Sequence, residues 1–325
     1  MKAIVQRAHG SPDVLALEDI DKPVLDDDGV IVRVRASSVN RSDAYMIRGV
    51  PWFVGLIMAR SLRTRPPSLV PGTDVAGQVE AVGRNVTHFR PGDEVFGARS
   101  GAYAEYVLIT EKSAIVPKPA NITFEQAGAV GVAGCTALQG LRDIGRLRPG
   151  QRVLINGATG GVGTFAVQIA KALGAHVTAV CKTTNVELVR SIGADLVIDY
   201  ATEDFAKQSA RYDLFFDVAG SRSLSTYTSV LVPGGTVVLA GARKGGFAGI
   251  MWRIAEARLR TRFGKHPILF FVAKLKKDDL AVLARMMEAG TVTPSIDRAY
   301  PLSETATAVR YLEQGHARGK VVITV

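Results

Sequence analysis

Between Arg152 and Val180 the hydrophobic pattern changes period twice. Val153-Leu154-Ile155 is an unbroken apolar run, which predicts a strand buried on both faces. A turn of small residues follows, Gly157-Ala158-Thr159-Gly160-Gly161-Val162-Gly163. From Phe165 to Leu173 the apolar residues recur at helical spacing, and Gly174 stops the helix. His176 to Val180 then reads as a second strand. Downstream the same alternation continues. Leu196-Val197-Ile198, Leu214-Phe215-Phe216 and Thr236 to Leu239 predict strands, with helical connections over Glu187–Ile192 and Ser223–Leu231. Strands alternating with helices predict an α/β fold, a parallel sheet with helices on both faces.

The earlier part of the chain has a different texture. Met1–Gln6 and Gly29–Ala36 read as strands, and short apolar stretches between Pro71 and Val107 are separated by glycine and Pro-Gly turns. That spacing predicts a small barrel-like β domain. Phe124 to Ile144 reads as helix and is rich in small residues. Residues 51–70 carry Trp52, Phe53 and Ile57 beside Arg60, Arg63 and Arg65. They read either as a packed excursion with a basic rim or as a mouth or membrane-facing segment. From 243 the pattern becomes irregular, and the arginines fall on more than one side of a helical wheel. Ile268–Val272 is a strand, Asp278–Ala289 a helix, and Lys320–Val325 a closing strand that needs an earlier partner.

Composition adds bounds. A chain of 325 residues exceeds one ordinary core, so two domains are expected. With 47% hydrophobic and 22% charged residues it is ordinary globular composition. Cys135 and Cys181 make neither a disulfide framework nor a structural zinc site, which fits a reducing, cytoplasmic setting. Residues 1–30 lack the pattern of a signal peptide, and no apolar run has bilayer length. The net charge of +10 is local: residues 243–277 hold ten Lys and Arg against one Glu, giving +9. This segment suits contact with an acidic surface. Without an aromatic platform or motif it does not predict nucleic-acid binding.

The candidate chemistry begins at the glycine turn. A strand, a tight turn and a helix start place a pyrophosphate on backbone amides. The expected cofactor contacts are Ala158, Thr159, Gly160, Gly161, Val162 and Gly163, with Gly163 also allowing close helix–strand packing. After the second strand an acidic residue would grip a ribose hydroxyl. This chain has Cys181-Lys182-Thr183-Thr184 instead. Lys182 suits a 2′-phosphate, so NADPH is expected, with NADH possible. Val218, Ala240 and Gly241 end later strands, where such a sheet meets its ligand. Asn40 and Asp43 have the chemistry of helix caps.

Asn40-Arg41-Ser42-Asp43, Pro71 to Gly77, Pro91 to Val95, Gly157 to Gly163 and Gly319 to Ile323 together resemble the medium-chain dehydrogenase/reductase superfamily, in its zinc-independent quinone oxidoreductase-like branch. The resemblance implies a Rossmann-type sheet inserted into a GroES-like β-barrel-type catalytic domain. The expected division is 1–122 catalytic, 123–264 dinucleotide-binding and 265–325 catalytic again. Zinc-dependent relatives place Cys at Asn40 and Gly-His-Glu at Gly72-Thr73-Asp74, so no metal is expected. The resemblance further implies Tyr200 beside the adenosine phosphate, Thr136 near the nicotinamide, and Asn40 and Tyr45 at the substrate, Tyr45 either catalytic or packed. The implied activity is NADPH-dependent hydride transfer to a quinone or α,β-unsaturated carbonyl, by a homodimer. The competing readings are a crystallin-like nucleotide-binding or interaction protein, and an alcohol dehydrogenase.

Overall fold

The computed structural model describes residues 1–49, 70–241 and 246–325, with only the backbone described for 246–250. The chain divides into two compact units. One comprises Met1–Ala133, Leu275–Ala289 and Pro294–Val325; the other comprises Gly134–Lys274 and Gly290–Thr293. In chain order the strands are β1 (Lys2–Gln6), β2 (Leu15–Asp19), β3 (Gly29–Val39), β4 (Asp74–Val82), β5 (Glu94–Ala98), β6 (Tyr106–Thr110) and β7 (Ala114–Pro117). The second unit supplies β8 (Arg152–Asn156), β9 (His176–Cys181), β10 (Leu196–Asp199), β11 (Tyr212–Asp217), β12 (Leu231–Leu239) and β13 (Ile268–Phe270). The first unit resumes with β14 (Ile296–Pro301) and β15 (Lys320–Thr324). The helices are α1 (Arg41–Arg48), α2 (Phe124–Gly128), α3 (Gly131–Leu138), α4 (Gly161–Ala172), α5 (Val186–Ser191), α6 (Leu224–Thr228), α7 (Gly246–Phe263), α8 (Lys277–Glu288) and α9 (Thr305–Gln314).

In the first unit the sheet order is β14-β15-β3-β4-β5-β7, with β6 also on β3. Val30, Val32, Val34, Val75, Val79, Val95 and Ile115 fill its core. β3 runs past the expected Ala36 to Val39 because the closing strand supplies the partner. Val321 to Thr324 pair antiparallel with Val39 to Ala36. The unpaired edge that Lys320–Val325 would otherwise present is thereby used.

The second unit is a six-stranded parallel sheet in the order β10-β9-β8-β11-β12-β13. The chain winds outward from β8 in one direction, then starts again at β11 in the other. The reversal leaves a crevice at the carboxyl ends of β8 and β11, where open α/β sheets bind ligands. Phe215 stacks on Tyr227 at 4.3 Å beneath this sheet.

Several expectations change here. The predicted boundary at 264 moves, because Ile268 to Phe270 pair parallel with Val237 to Leu239 and extend the Rossmann-type sheet. The helix expected over 124–144 breaks into α2, α3 and a wider helical turn over Gln139–Ile144. The helix expected over 223–231 stops at Thr228, since Leu231 already pairs with Tyr212. The irregular stretch after 243 contains one long helix, α7. Its scattered arginines have separate tasks: Arg253 is buried against the sheet, while Arg258, Arg260 and Arg262 are exposed. The segment 51–65 and the pair Arg243 and Lys244 lie outside the described residues. Among the described residues no helix is long and apolar enough to cross a membrane.

Arg253 holds α7 to the sheet. Its Nη2 donates to Asp217 Oδ2 at 3.1 Å, its Nη1 donates to Arg222 O at 3.1 Å, and the guanidinium lies 5.3 Å from the Tyr227 ring. Replacing Arg253 by Met strands a buried carboxylate and is expected to cost about 3–5 kcal/mol. Adding Asp217→Asn removes the stranded charge and should restore much of that loss in thermal unfolding.

Candidate active site

The nucleotide half of the site is built by the turn between β8 and α4. Gly160 is the N-cap, in extended conformation, and the first intrahelical bond runs from Thr164 N to Gly160 O at 3.0 Å. The amides of Gly161, Val162 and Gly163 therefore precede the helical ladder and point out of its start. Two glycines in the turn have opposite reasons. A Cβ on Gly163 would lie 2.1 Å from Gly157 O, so the helix could not sit so close to the turn. A Cβ on Gly160 would meet only Gly157 O, at 3.9 Å. The protein itself leaves that space open, as a cradle for phosphate needs. Ala158 is buried, while Thr159, Gly161 and Val162 are half-buried at the turn's surface.

The other expected cofactor residues gather along the carboxyl edge of the same sheet. Lys182 follows β9 and is exposed. Tyr200 follows β10, its ring is exposed, and its backbone N–H donates to Cys181 O at 3.0 Å. The two are thus brought together by adjacent strand ends. Thr183 is otherwise engaged: its hydroxyl hydrogen-bonds Asp199 and holds that carboxyl below its ordinary value. Lys182 and Thr184 are exposed beside it. Ala240 and Gly241 donate their N–H groups to Asp217 O at 2.9 and 3.0 Å, and a Cβ on Gly241 would strike Val218 O at 1.9 Å. Val218, Ala240 and Gly241 therefore meet around one carbonyl at the crevice. Beside it, Asn156 Nδ2 donates to Asp217 Oδ1 at 2.9 Å, across the reversal point. Burial raises the Asp217 carboxyl, against the lowering pull of Gly220 N–H, Asn156 and Arg253. Thr136 lies on α3, half-buried.

The first unit holds a second constellation, which the sequence reading captured only in Asn40. Asp74 begins β4 and is fully buried. Its Oδ2 accepts from Ser38 Oγ at 2.6 Å, Asn40 Nδ2 at 2.9 Å and Lys320 Nζ at 3.2 Å, and its Oδ1 accepts from Val132 N at 2.7 Å. Lys320 Nζ also donates to Asn40 Oδ1 at 2.6 Å. The Asn40 amide is thus fixed at both ends, these bonds using one of its two N–H groups.

Asp43, in the first turn of α1, is the neighbouring buried acid. Its Oδ2 accepts from Asn40 N at 2.8 Å and faces the Tyr103 hydroxyl at 3.3 Å. Its Oδ1 accepts from Thr73 Oγ1 at 2.8 Å. Asp43 does cap the helix, as one reading of the sequence held, and also reaches Thr73. Burial, then the charge of Asp74, pushes its carboxyl from 3.8 to about 6. Tyr103 is raised well above 10.0 by burial, so its hydroxyl stays neutral. Tyr45, by contrast, is 45% exposed, so α1 does not bury it. The signal for the missed residues was available: Asp74 and Lys320 are charges set among apolar strand positions.

Two outcomes follow from this geometry. Gly163→Ala is expected to lower stability by about 1–3 kcal/mol through overpacking, whereas Gly160→Ala should leave the melting temperature unchanged and weaken dinucleotide binding. Thermal unfolding with calorimetric titration of NADPH separates the two. For Asp43 the folded-state value is raised, so its contribution is full below 3.8 and is lost as pH rises through about 6. Asp43→Asn carries no proton to lose. Its melting temperature relative to the unaltered protein should therefore climb across that window.

Comparison with known proteins places these features in a family. The Alcohol dehydrogenase GroES-like domain matches residues 26–120, and the Zinc-binding dehydrogenase family matches residues 192–323. The mitochondrial NAD(P)H oxidoreductase RTN4IP1 of Mus musculus is 35% identical, over 91% of this chain and 81% of its own length. The chloroplastic NADPH-dependent alkenal/one oxidoreductase of Arabidopsis thaliana is 35% identical, over 99% of this chain and 79% of its own. The structure of the quinone oxidoreductase from Coxiella burnetii superposes with a TM-score of 0.84 at 29% identity, covering 100% of this chain and 99% of that one. With a GroES-like sheet, a Rossmann-type sheet and relatives aligned along nearly its whole length, the chain belongs to the medium-chain dehydrogenase/reductase superfamily, in its quinone oxidoreductase-like branch.

Proposed function

We propose that this protein reduces quinones or α,β-unsaturated carbonyls with NADPH and without zinc. The observation that carries the reading is that one chain holds both an open turn at Gly160 and the Asn40–Asp74–Lys320 cluster. At the positions where zinc-dependent relatives keep Cys and His, this chain has an amide and a hydroxyl, neither a usual zinc ligand. A resident ammonium, Lys320 Nζ, bonds to Asn40 Oδ1 and Asp74 Oδ2 at 2.6 and 3.2 Å. Its positive charge takes up donors that a metal would need.

The amides of Gly161 to Gly163 would hold the pyrophosphate, Lys182 the 2′-phosphate, and Tyr200 the adenosine edge. When bound, the reduced cofactor supplies a hydride. The chain's own residues then have two tasks, to orient the acceptor and to stabilise charge on its oxygen. The remaining N–H of Asn40 would serve the second. Its amide cannot rotate, because Asp74 and Lys320 hold both ends. Conjugated acceptors suit such a site, because their own π system spreads the charge. A simple alcohol gains far more from a Lewis acid. The alkenal/one and quinone oxidoreductases among the relatives support the same substrate class. Among the described residues β13 is an edge strand of the six-stranded sheet, and the expected homodimer would pair there.

The test is oxidation of NADPH, and separately NADH, with quinones and enones as acceptors. Turnover of conjugated acceptors that survives chelators is expected; chelator-sensitive turnover of simple alcohols alone would exclude the reading. Lys182→Ala should raise KM for NADPH about tenfold and leave that for NADH nearly unchanged. Tyr45→Phe should lose far less activity than Gly160→Asp, which puts a carboxylate in the phosphate cradle.

A further inference from the structure

We propose that the Thr73 hydroxyl, backed by the Asp43 carboxyl, delivers the proton to the enolate left when hydride adds to an α,β-unsaturated carbonyl. This rests on the substrate class proposed above and adds to it the source of the second hydrogen.

The geometry is a three-part line. Asp43 is completely buried, Thr73 is half-buried, and the two are joined by the 2.8 Å bond from Thr73 Oγ1 to Asp43 Oδ1. Thr73 is thus a partly exposed residue bonded to an acid that has no exposure of its own. Thr73 precedes Asp74, and Asp74 holds the Asn40 amide, so the hydroxyl and the carbonyl-orienting group belong to one cluster. Among the described residues, the charged groups acting on Asp43 are Asp74 and Lys320. Asp74, on β4, disfavours a second negative charge, and Lys320, on β15, favours one. The Tyr103 hydroxyl is neutral, and Thr73 and Asn40 carry no charge. Lys320 is within 3.2 Å of Asp74 and neutralises it first. Asp43 is left as the less compensated acid, which is why burial and the charge of Asp74 push its carboxyl up to about 6.

The step balances as follows. Hydride from the reduced nicotinamide forms a C–H bond at the β carbon, and the alkene pair shifts to give an enolate with charge on oxygen. The enolate pair then forms a C–H bond at the α carbon with the Thr73 hydroxyl proton, and the C=O is restored. Thr73 Oγ1 takes the carboxyl proton of Asp43, which remains as carboxylate. That is the state in which Oδ1 accepts from Thr73. A proton from water returns along the same hydroxyl before the next turnover. A quinone differs, because its reduced anion is stabilised by aromaticity and can collect a proton from water after release.

The experiment uses the full chain with NADPH and an enone in deuterated water, comparing the unaltered protein with Thr73→Val, Thr73→Ser and Asp43→Asn. Thr73→Val should lower kcat for the enone about a hundredfold, the usual size of one general-acid contribution. Its product should carry deuterium on both faces of the α carbon, where the unaltered protein labels one. Thr73→Ser should restore the single-face label and most of the rate. In the unaltered protein kcat for the enone should fall as pH rises through about 6, the value to which Asp43 is pushed, and this limb should vanish in Asp43→Asn. Infrared titration should show a protonated carboxyl band, absent from Asp43→Asn, with the same midpoint. Thr73→Val that keeps the rate, the single-face label and the pH limb would overturn the relay while leaving the proposed substrate class intact. An unaltered protein that binds NADPH but reduces neither enone nor quinone would remove that substrate class, and the relay with it.

Discussion

The buried ammonium of Lys320 is the charge on which the first unit depends. Two carboxylates, Asp43 and Asp74, are sealed in the same small volume, and one cation answers them. The pairing is unequal. Asp74 takes the ammonium and three further donors, while Asp43 takes three neutral partners. A buried carboxylate without a counter-charge is expensive, and it relieves the cost by holding its proton. The cluster is therefore structural and chemical at once. It ties the last strand to β3 and β4, fixes the Asn40 amide, and leaves one acid with its carboxyl pushed up to about 6.

The second unit solves a comparable problem differently. Asp217 is also fully buried, at the point where the strand order reverses. It is met by a guanidinium from α7, an amide from β8 and a backbone N–H from the following loop. Its backbone carbonyl accepts from the N–H groups of Ala240 and Gly241. The positions expected at a dinucleotide thus adjoin one polar knot, which no alternation of apolar residues could announce.

Legibility in the sequence followed the range of the interaction. The strand–turn–helix at Val153 to Leu173 is local, and each residue there carries its own instruction: continuous burial, small size, then helical spacing. The need for a partner to Lys320–Val325 was legible too, because an apolar strand cannot end unpaired. What could not be read was set by distant partners. Arg253 looked like one more cation in a basic stretch, and only the sheet, through Asp217, gives it an inside. Ile268 to Phe270 read as a strand, but its choice of sheet depends on β12, which the local pattern does not contain. Thr73 was read as a missing zinc ligand; its hydroxyl acquires meaning only beside Asp43, thirty residues earlier in the chain. Likewise the Thr183 hydroxyl is drawn to Asp199 across two strand ends.

The interrupted course of the first unit has a consequence for biosynthesis. Residues 134–274 form most of a sheet from consecutive βα segments, so that unit can collapse while translation continues. The sheet that houses Asp43 and Asp74 has to wait for Lys320, 246 positions after the acid it neutralises. Until that lysine leaves the ribosome, the nascent barrel holds two acids without their cation and one open strand edge on β3. The last step of folding is then also the step that sets the protonation of the site. A chain released early would carry a formed nucleotide half attached to an electrostatically unfinished one.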